Sequence, residues 1–446
     1  MKKFLKWVGG IILFFLLLAI SLVGPIDRSP LEEKSFYKEM MAELDTIMPV
    51  SHHATQVLKA GWSRANITPN YSMPMAGYIP RPRFESVHDS LYTRIVAIDN
   101  GSITCYFIST DLLLFPPDLR DRINEKIAAK GWKDFFLYLS ATHTHNGVGG
   151  WHSSVLGKAV LGDYHEEWIE ETAQLIVQKM EEAYASRLES KIAYFENDVS
   201  ESVENRIAFD KGDIDGLVRG FSIERVDSTK GIVFTFSAHA TSIGKDNLVL
   251  SGDYPAAAIE QLKAKGWDFG MYMAGMVGSH RFRWVPEKDF DAVAVEAKLL
   301  TDKIGSASFI TLEDSIEIKT VNVPIQFGPS QLRFEKNWKV RDWAFRLFVN
   351  PLEGEITYLQ LGNLVFMGTP CDFSGELYTR EKMGSLVQQL NKKLIITSFN
   401  GDYNGYITYD PHYETLAKEE VRAMNWVGPH YGKYFSHIIE RLLNKN

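Results

Sequence analysis

Hydrophobic and polar positions along the chain follow one plan three times: a short apolar run, a polar turn, apolar positions at helical spacing, and a second apolar run ending in polar residues. The first unit reads ITCYFISTDLLLF, PPDLRDRINEKIAAKGW and DFFLYLSATHTHNG, where the proline pair and Asp118 suit a helix start and Gly131 suits its end. The second reads GIVFTFSAHATS, DYPAAAIEQLKAKGW and FGMYMAGMVGSH. The third reads NLVFMGTPCDFS, GELYTREKMGSLVQQLNKK and LIITSFNGDYNGY. Strand-helix-strand units require sheets with helices packed on them. The expected class is therefore α/β, with mixed sheets flanked by helices and antiparallel hairpins from the intervening segments.

The N-terminus follows a different pattern. Lys2, Lys3 and Lys6 precede an uncharged apolar run from Trp7 to Ile26, and a bilayer needs about 20 apolar residues. The run exceeds the about 7 to 15 residues of a signal-peptide core and shows no small-residue cleavage site around Ser21 to Pro25, so it reads as an uncleaved transmembrane helix. The lysines place the short end in the cytoplasm, which puts the body on the extracytoplasmic side of a cell membrane crossed once. Leu31, Phe36, Met40 or Met41, and Leu44 then stand near helical spacing, as in a stalk helix after Ser29. The expected division is an anchor, or alternatively a signal peptide, over 1–26, a stalk helix or linker over 27–55, and a catalytic body over 56–446 with no linker inside it.

Composition changes this picture little. The content of 45% hydrophobic and 23% charged residues is that of a globular chain. A net charge of -8 supplies no basic face, so nucleic acid is not expected as a partner. Cys105 and Cys371 lie in apolar runs outside any C-x-x-C pair and read as buried free thiols.

Candidate chemistry collects where strands end: Asp111, His143 and His145 in the first unit, His239 in the second, Asp372 and Tyr406 in the third. Open α/β sheets hold ligands at the carboxyl ends of their strands, so the placement points to one shared site. In extended chain His143 and His145 face the same side. Neutral imidazole is a good zinc ligand, and catalytic zinc uses about three protein ligands and one open position. Asn146, Gly147, Gly149 and Gly150 suit a close approach of backbone to a ligand. Each member also has an ordinary role: His239 as a hydrogen-bonded strand-end residue, Asp372 as a helix cap, Tyr406 as a core aromatic.

The order of several motifs resembles the neutral, non-lysosomal ceramidase family. AGWSRANITPNYSMPMAGY is similar to its opening segment, SATHTHNGVGGW to its T-H-T-H-S-G-P-G-G signature, and NRIAF to its N-R-S segment. SAHATSIGKDNLVLSGDYPAAA resembles the later histidine segment, TPCDFS the P-G-E-F-T turn, and NGDYNGYIT the N-D-Y-x-x-Y-V-T segment. The resemblance implies Zn2+ held by His143, His239, Asp372 and Tyr406, with His145 as general acid/base, Arg206 fixing substrate oxygens, and Tyr406 serving the reaction as well as the metal. It implies hydrolysis of the amide bond of a ceramide or related N-acyl lipid; the membrane is expected as a second partner from the N-terminal apolar run itself.

Several features depart from the family. Asp372 stands where glutamate is usual, and Lys418 of LAKEEVRAMNW is nearest by spacing to a further family tyrosine. GMVGSHRF, with Ser279 and His280, replaces a serine motif, and the family's C-terminal immunoglobulin-like domain is expected to be missing. Two other readings stay open at this point: a zinc esterase or amidase for soluble exported metabolites, and a non-catalytic descendant that binds lipid.

Overall fold

In the computed structural model, which describes residues 2–78, 81–313 and 316–445, each expected unit closes into a parallel strand pair with helix between its strands. Thr104–Thr110 pairs with Phe135–Ala141, linked by the helix Pro117–Lys130; Lys230–Phe236 pairs with Phe269–Ala274, linked by Asp253–Ala264. Leu364–Gly368 pairs with Lys393–Thr397, linked by Gly375–Arg380 and Met383–Gln389. Parallel pairing needs such crossovers, because a tight turn can only return a strand antiparallel. Gly131 ends its helix at φ 67, as its place after Lys130 predicts.

The first two units join antiparallel strands in a nine-stranded sheet, and the third belongs to a five-stranded sheet. Side-chain alternation shows how the sheets stack. Tyr106 and Ile108 pack with the helices Pro117–Lys130 and Glu166–Ala185, whereas Cys105 and Phe107 on the opposite face meet Leu359, Leu361, Phe366 and Ile395 of the five-stranded sheet. The far face of that second sheet, with Tyr358, Val365 and Met367, packs on the helix Tyr431–Leu443. The layers therefore run helices, large sheet, small sheet, helix. Cys105 and Cys371 are buried and free, as expected.

The N-terminal helix Lys2–Leu22 leaves apolar side chains such as Phe4, Trp7 and Ile20 exposed, and it is long and apolar enough to cross a membrane. It stops at Leu22, short of the Ile26 limit read from hydropathy, because Val23–Pro25 becomes a strand paired with Trp338–Val340. The segment expected as a stalk forms a short turn over Leu31–Glu33 and a helix over Ser35–Thr46, interrupted by extended backbone at Lys34. Met40 and Leu44 are buried, Phe36 lies 5.6 and 5.4 Å from the rings of Tyr431 and Tyr434, and the Tyr37 hydroxyl is 2.8 Å from His437 Nδ1. This helix is thus fastened to the body along one face.

Candidate metal centre

The strand Phe135–Ala141 delivers the first two histidines. Backbone N–H groups of Thr142 and His143 donate to the carbonyls of Thr110 and Leu112 at 2.9 and 3.0 Å. His143 then turns into left-handed backbone at φ 62, where residues other than glycine are uncommon. The triplet is therefore not extended, contrary to the premise drawn from spacing. Its two rings still meet, with 3.2 Å between the Nε2 atoms of His143 and His145. Gly77, at φ 105, lies against the triplet, and a Cβ there would come within 2.5 Å of the His145 Cα.

His239 follows the strand Lys230–Phe236, and the His145 N–H donates to the Ala240 carbonyl at 3.2 Å, tying the two histidine segments together. The Nδ1–H of His143 donates to the Leu113 carbonyl at 2.6 Å and that of His239 to the Val277 carbonyl at 2.7 Å. Fixing Nδ1 as the donor leaves each Nε2 lone pair directed inward. Burial pushes the His143 pKa down to about 3 and that of His239 well below its ordinary value, which keeps both rings neutral.

Asp372 and Tyr406 come from two short strands, Asp372–Phe373 and Tyr406–Ile407, paired in parallel with these two residues in register. Asp372 Oδ1 lies 3.7 Å from His143 Nε2 and 3.6 Å from His239 Nε2, and the Tyr406 hydroxyl is 3.0 Å from His239 Nε2. Four ligands about 2.0–2.1 Å from a tetrahedral zinc ion stand about 3.3 Å from one another. The observed spacing suits such an ion. The imidazole nitrogens of His143, His145 and His239 also lie within 4.8 Å of one another.

The carboxylate gives the sharper test of fit. Its Oδ2 accepts the Tyr403 hydroxyl at 2.7 Å, but Oδ1 is buried without a hydrogen-bond partner among the described residues. Burial lifts the Asp372 pKa to about 7, although Tyr403 and Arg206 pull the other way. A buried, unpartnered carboxylate oxygen costs free energy that a cation would recover. Charge, orientation and donor type therefore fit a divalent metal.

Arg206 reaches the same point, donating to the Tyr406 hydroxyl at 3.4 Å and to Glu420 Oε1 at 2.7 Å. Burial opposes its charge, but Tyr406, Glu420 and Asp372 outweigh that and hold its pKa above the ordinary value. His143, His145, Asp372 and Tyr406 all line one cavity of about 950 Å³, whose wall is mainly apolar and includes Leu113, Trp151, Leu156, Val160 and Phe399. His145 is only partly buried there, unlike His143 and His239.

Other sequence candidates stand apart. Asp111 is absent from the cluster: both of its oxygens accept from Arg94, at 2.9 and 2.8 Å, and Oδ2 also accepts the Tyr92 N–H at 2.8 Å. Lys418 sits over the Phe209 ring at 4.5 Å, and Glu420 of the same segment turns to Arg206 instead. Ser279 Oγ lies 3.0 Å from His280 Nδ1 while His280 Nε2 accepts the Asp215 N–H at 3.0 Å, so this fully buried pair is already engaged. The glycines after His145 approach the chain itself: a Cβ on Gly149 would stand 2.3 Å from the Leu161 carbonyl oxygen. Sequence reasoning passed over Tyr403, Glu420 and Phe399, whose ring stacks on His143 at 4.3 Å. Tyr403 did have a signal, three positions before Tyr406 in NGDYNGY.

Residues 58–269 match the family model described as neutral/alkaline non-lysosomal ceramidase, N-terminal. The resemblance read from the motifs holds. The neutral ceramidase from Pseudomonas aeruginosa aligns with a TM-score of 0.76 at 16% identity, over 87% of this chain and 74% of that one. A structure described as ceramidase complexed with C2 gives 0.72 at 15% identity, over 87% of this chain and 75% of its own. The protein thus has the neutral ceramidase fold. The matched segment contains His143, His145, Arg206 and His239, whereas Asp372 and Tyr406 lie beyond it.

Proposed function

We propose that this protein is a metal-dependent amidohydrolase that cleaves the amide bond of a ceramide or related N-acyl lipid. We assign zinc to His143, His239, Asp372 and Tyr406. The observation that carries the reading is the buried Asp372 Oδ1, without a hydrogen-bond partner among the described residues and 3.7 and 3.6 Å from two neutral imidazole nitrogens. Bound zinc would supply a Lewis acid that polarises a carbonyl and lowers the pKa of water to about 7.

The remaining chemistry falls to the chain's own groups. His145, facing the cavity, accepts a proton at Nε2 from the attacking water and returns it to the leaving amine nitrogen as the C–N bond breaks. Arg206, held by Glu420, presents positive charge beside Tyr406, where the substrate carbonyl oxygen gains negative charge. The apolar wall of the cavity favours an acyl chain over the soluble-metabolite alternative. The helix Lys2–Leu22 is assigned as the membrane anchor, with the body on the extracytoplasmic side.

Metal content measured together with fatty-acid release from a panel of N-acyl lipids tests the reading. Wild type should hold zinc and release fatty acid, and His143→Ala should lose both. Zinc without release from any N-acyl lipid would move the assignment to a non-catalytic lipid-binding descendant.

A further inference from the structure

Residues 333–348 expose five large apolar side chains: Phe334 at 51%, Trp338 and Trp343 at 48%, Leu347 at 61% and Phe348 at 55%. Soluble surfaces rarely gather so much apolar area in one place, and such patches mark contact with a partner or a membrane. Their position in the fold decides between the two. The hairpin Arg333–Glu335 and Trp338–Val340 continues into a three-stranded sheet whose third strand is Val23–Pro25, the first residues after the apolar helix. The Trp343 indole N–H donates to the Ser21 carbonyl at 3.1 Å, and the Arg341 N–H donates to that of Leu22 at 2.8 Å. The patch is therefore joined to the end of the helix that itself exposes apolar side chains on all sides.

We propose that this segment is a membrane-docking face, set into the headgroup layer of the bilayer that Lys2–Leu22 crosses. The proposal rests on the anchor assignment made above. Tryptophan and other amphipathic aromatics favour the membrane–water boundary, which is the depth at which a span ending at Leu22 leaves the hydrocarbon. Charge agrees: the segment carries five basic and two acidic side chains in a chain of net charge -8, and Lys336, Arg341 and Arg346 are exposed. Basic groups beside an apolar patch suit anionic headgroups. The face also borders the cavity of the metal centre. Leu332 before it and Val349 just after it line that cavity, and the Leu156 N–H, from the cavity wall, donates to the Phe348 carbonyl at 2.9 Å. Docking would set this side of the cavity wall against the leaflet, bringing the site beside the acyl lipids there.

Both native cysteines are buried, so a nitroxide can be placed on single introduced cysteines in the full chain. Leu13→Cys, Leu347→Cys and Trp284→Cys would be labelled and reconstituted in vesicles of equimolar phosphatidylcholine and phosphatidylglycerol. Collision rates with oxygen, which concentrates in the bilayer, and with a water-soluble nickel chelate then report depth. Expected are a deep label at 13, an interfacial one at 347 with oxygen collisions in excess, and an aqueous one at 284. A deep label at 13 with an aqueous one at 347 would overturn the docking face and leave the anchor intact. Shielding of 347 from both reagents would overturn it in favour of a protein contact. An aqueous label at 13 would refute the anchor itself, and the docking face with it.

Discussion

Asp111 and Asp372 look alike in sequence and differ in structure. Both are fully buried acids placed just after an apolar strand. Asp111 has every oxygen engaged, by Arg94 and by the Tyr92 N–H. Asp372 has one oxygen engaged, by Tyr403, and one facing two imidazoles with no partner among the described residues. A buried carboxylate closed by its own cation holds strands together. One left open beside neutral nitrogens has the form a cation from outside would suit, which is the reading proposed for Asp372.

The largest expected effect breaks the closed member. Asp111→Ala should leave Arg94 buried and uncompensated and lower stability by about 3–5 kcal/mol, as is usual for one half of a buried pair. Denaturant unfolding should show this loss, while zinc per folded molecule stays at the wild-type level. Zinc loss in step with that variant's remaining folded fraction would be neutral; zinc loss beyond it would place Asp111 in the metal centre.

Removing a cavity-facing group beside the open member comes next. His145→Ala should keep zinc and lose about 10²–10⁴ in turnover, the range for general acid/base groups. Equal metal loss in His143→Ala and His145→Ala would show that the two histidines have been given the wrong roles. Tyr403→Phe removes the hydroxyl that fixes Asp372 Oδ2 and should weaken zinc binding by about 10- to 100-fold, as loss of an orienting partner does. Competition with a chelator of known affinity measures it.

The smallest effect uses a third buried acid. Glu296 is met by the Ser242 hydroxyl, and burial, with Asp253 adding negative charge, raises its pKa to about 8. The native state then keeps a proton that the unfolded chain releases near the ordinary carboxylate value of about 4.3. Stability should therefore fall as pH rises from about 4.5 through about 8. Glu296→Gln should flatten that decline, so the variant's advantage in unfolding midpoint grows between about pH 5 and about pH 9. An advantage independent of pH would mean that Glu296 does not carry the proton.

Much of the scaffold is legible because periodicity is local. The three units, their helix limits at Pro117 and Gly131, and the burial of Leu44 follow from spacing, while the choice of Met40 over Met41 as the buried methionine needed the structure. The order of layers does not. TCYFIST is apolar on both faces, and its alternation separates helix-facing from sheet-facing residues only once the second sheet is in place. The histidines were visible as strand-end residues, but the left-handed turn at His143 was not, since nothing but glycine announces such backbone. Sequence position alone places Asp111 with the site, because its partner lies on another strand. Only the antiparallel register of Tyr92–Asp99 with Thr104–Thr110 brings Arg94 beside it. Glu420 was hidden for the same reason, being 214 positions from Arg206.

X-ray absorption at the zinc edge, on zinc-loaded wild type and Asp372→Ala, tests the open carboxylate most directly. Wild type should show four nitrogen or oxygen ligands at about 2.0–2.1 Å, two of them imidazole, and the variant should lose zinc on dialysis or show an altered oxygen shell. Identical spectra and equal zinc retention in the two proteins would contradict the assignment and leave Asp372 as a structural residue of the turn before Gly375–Arg380.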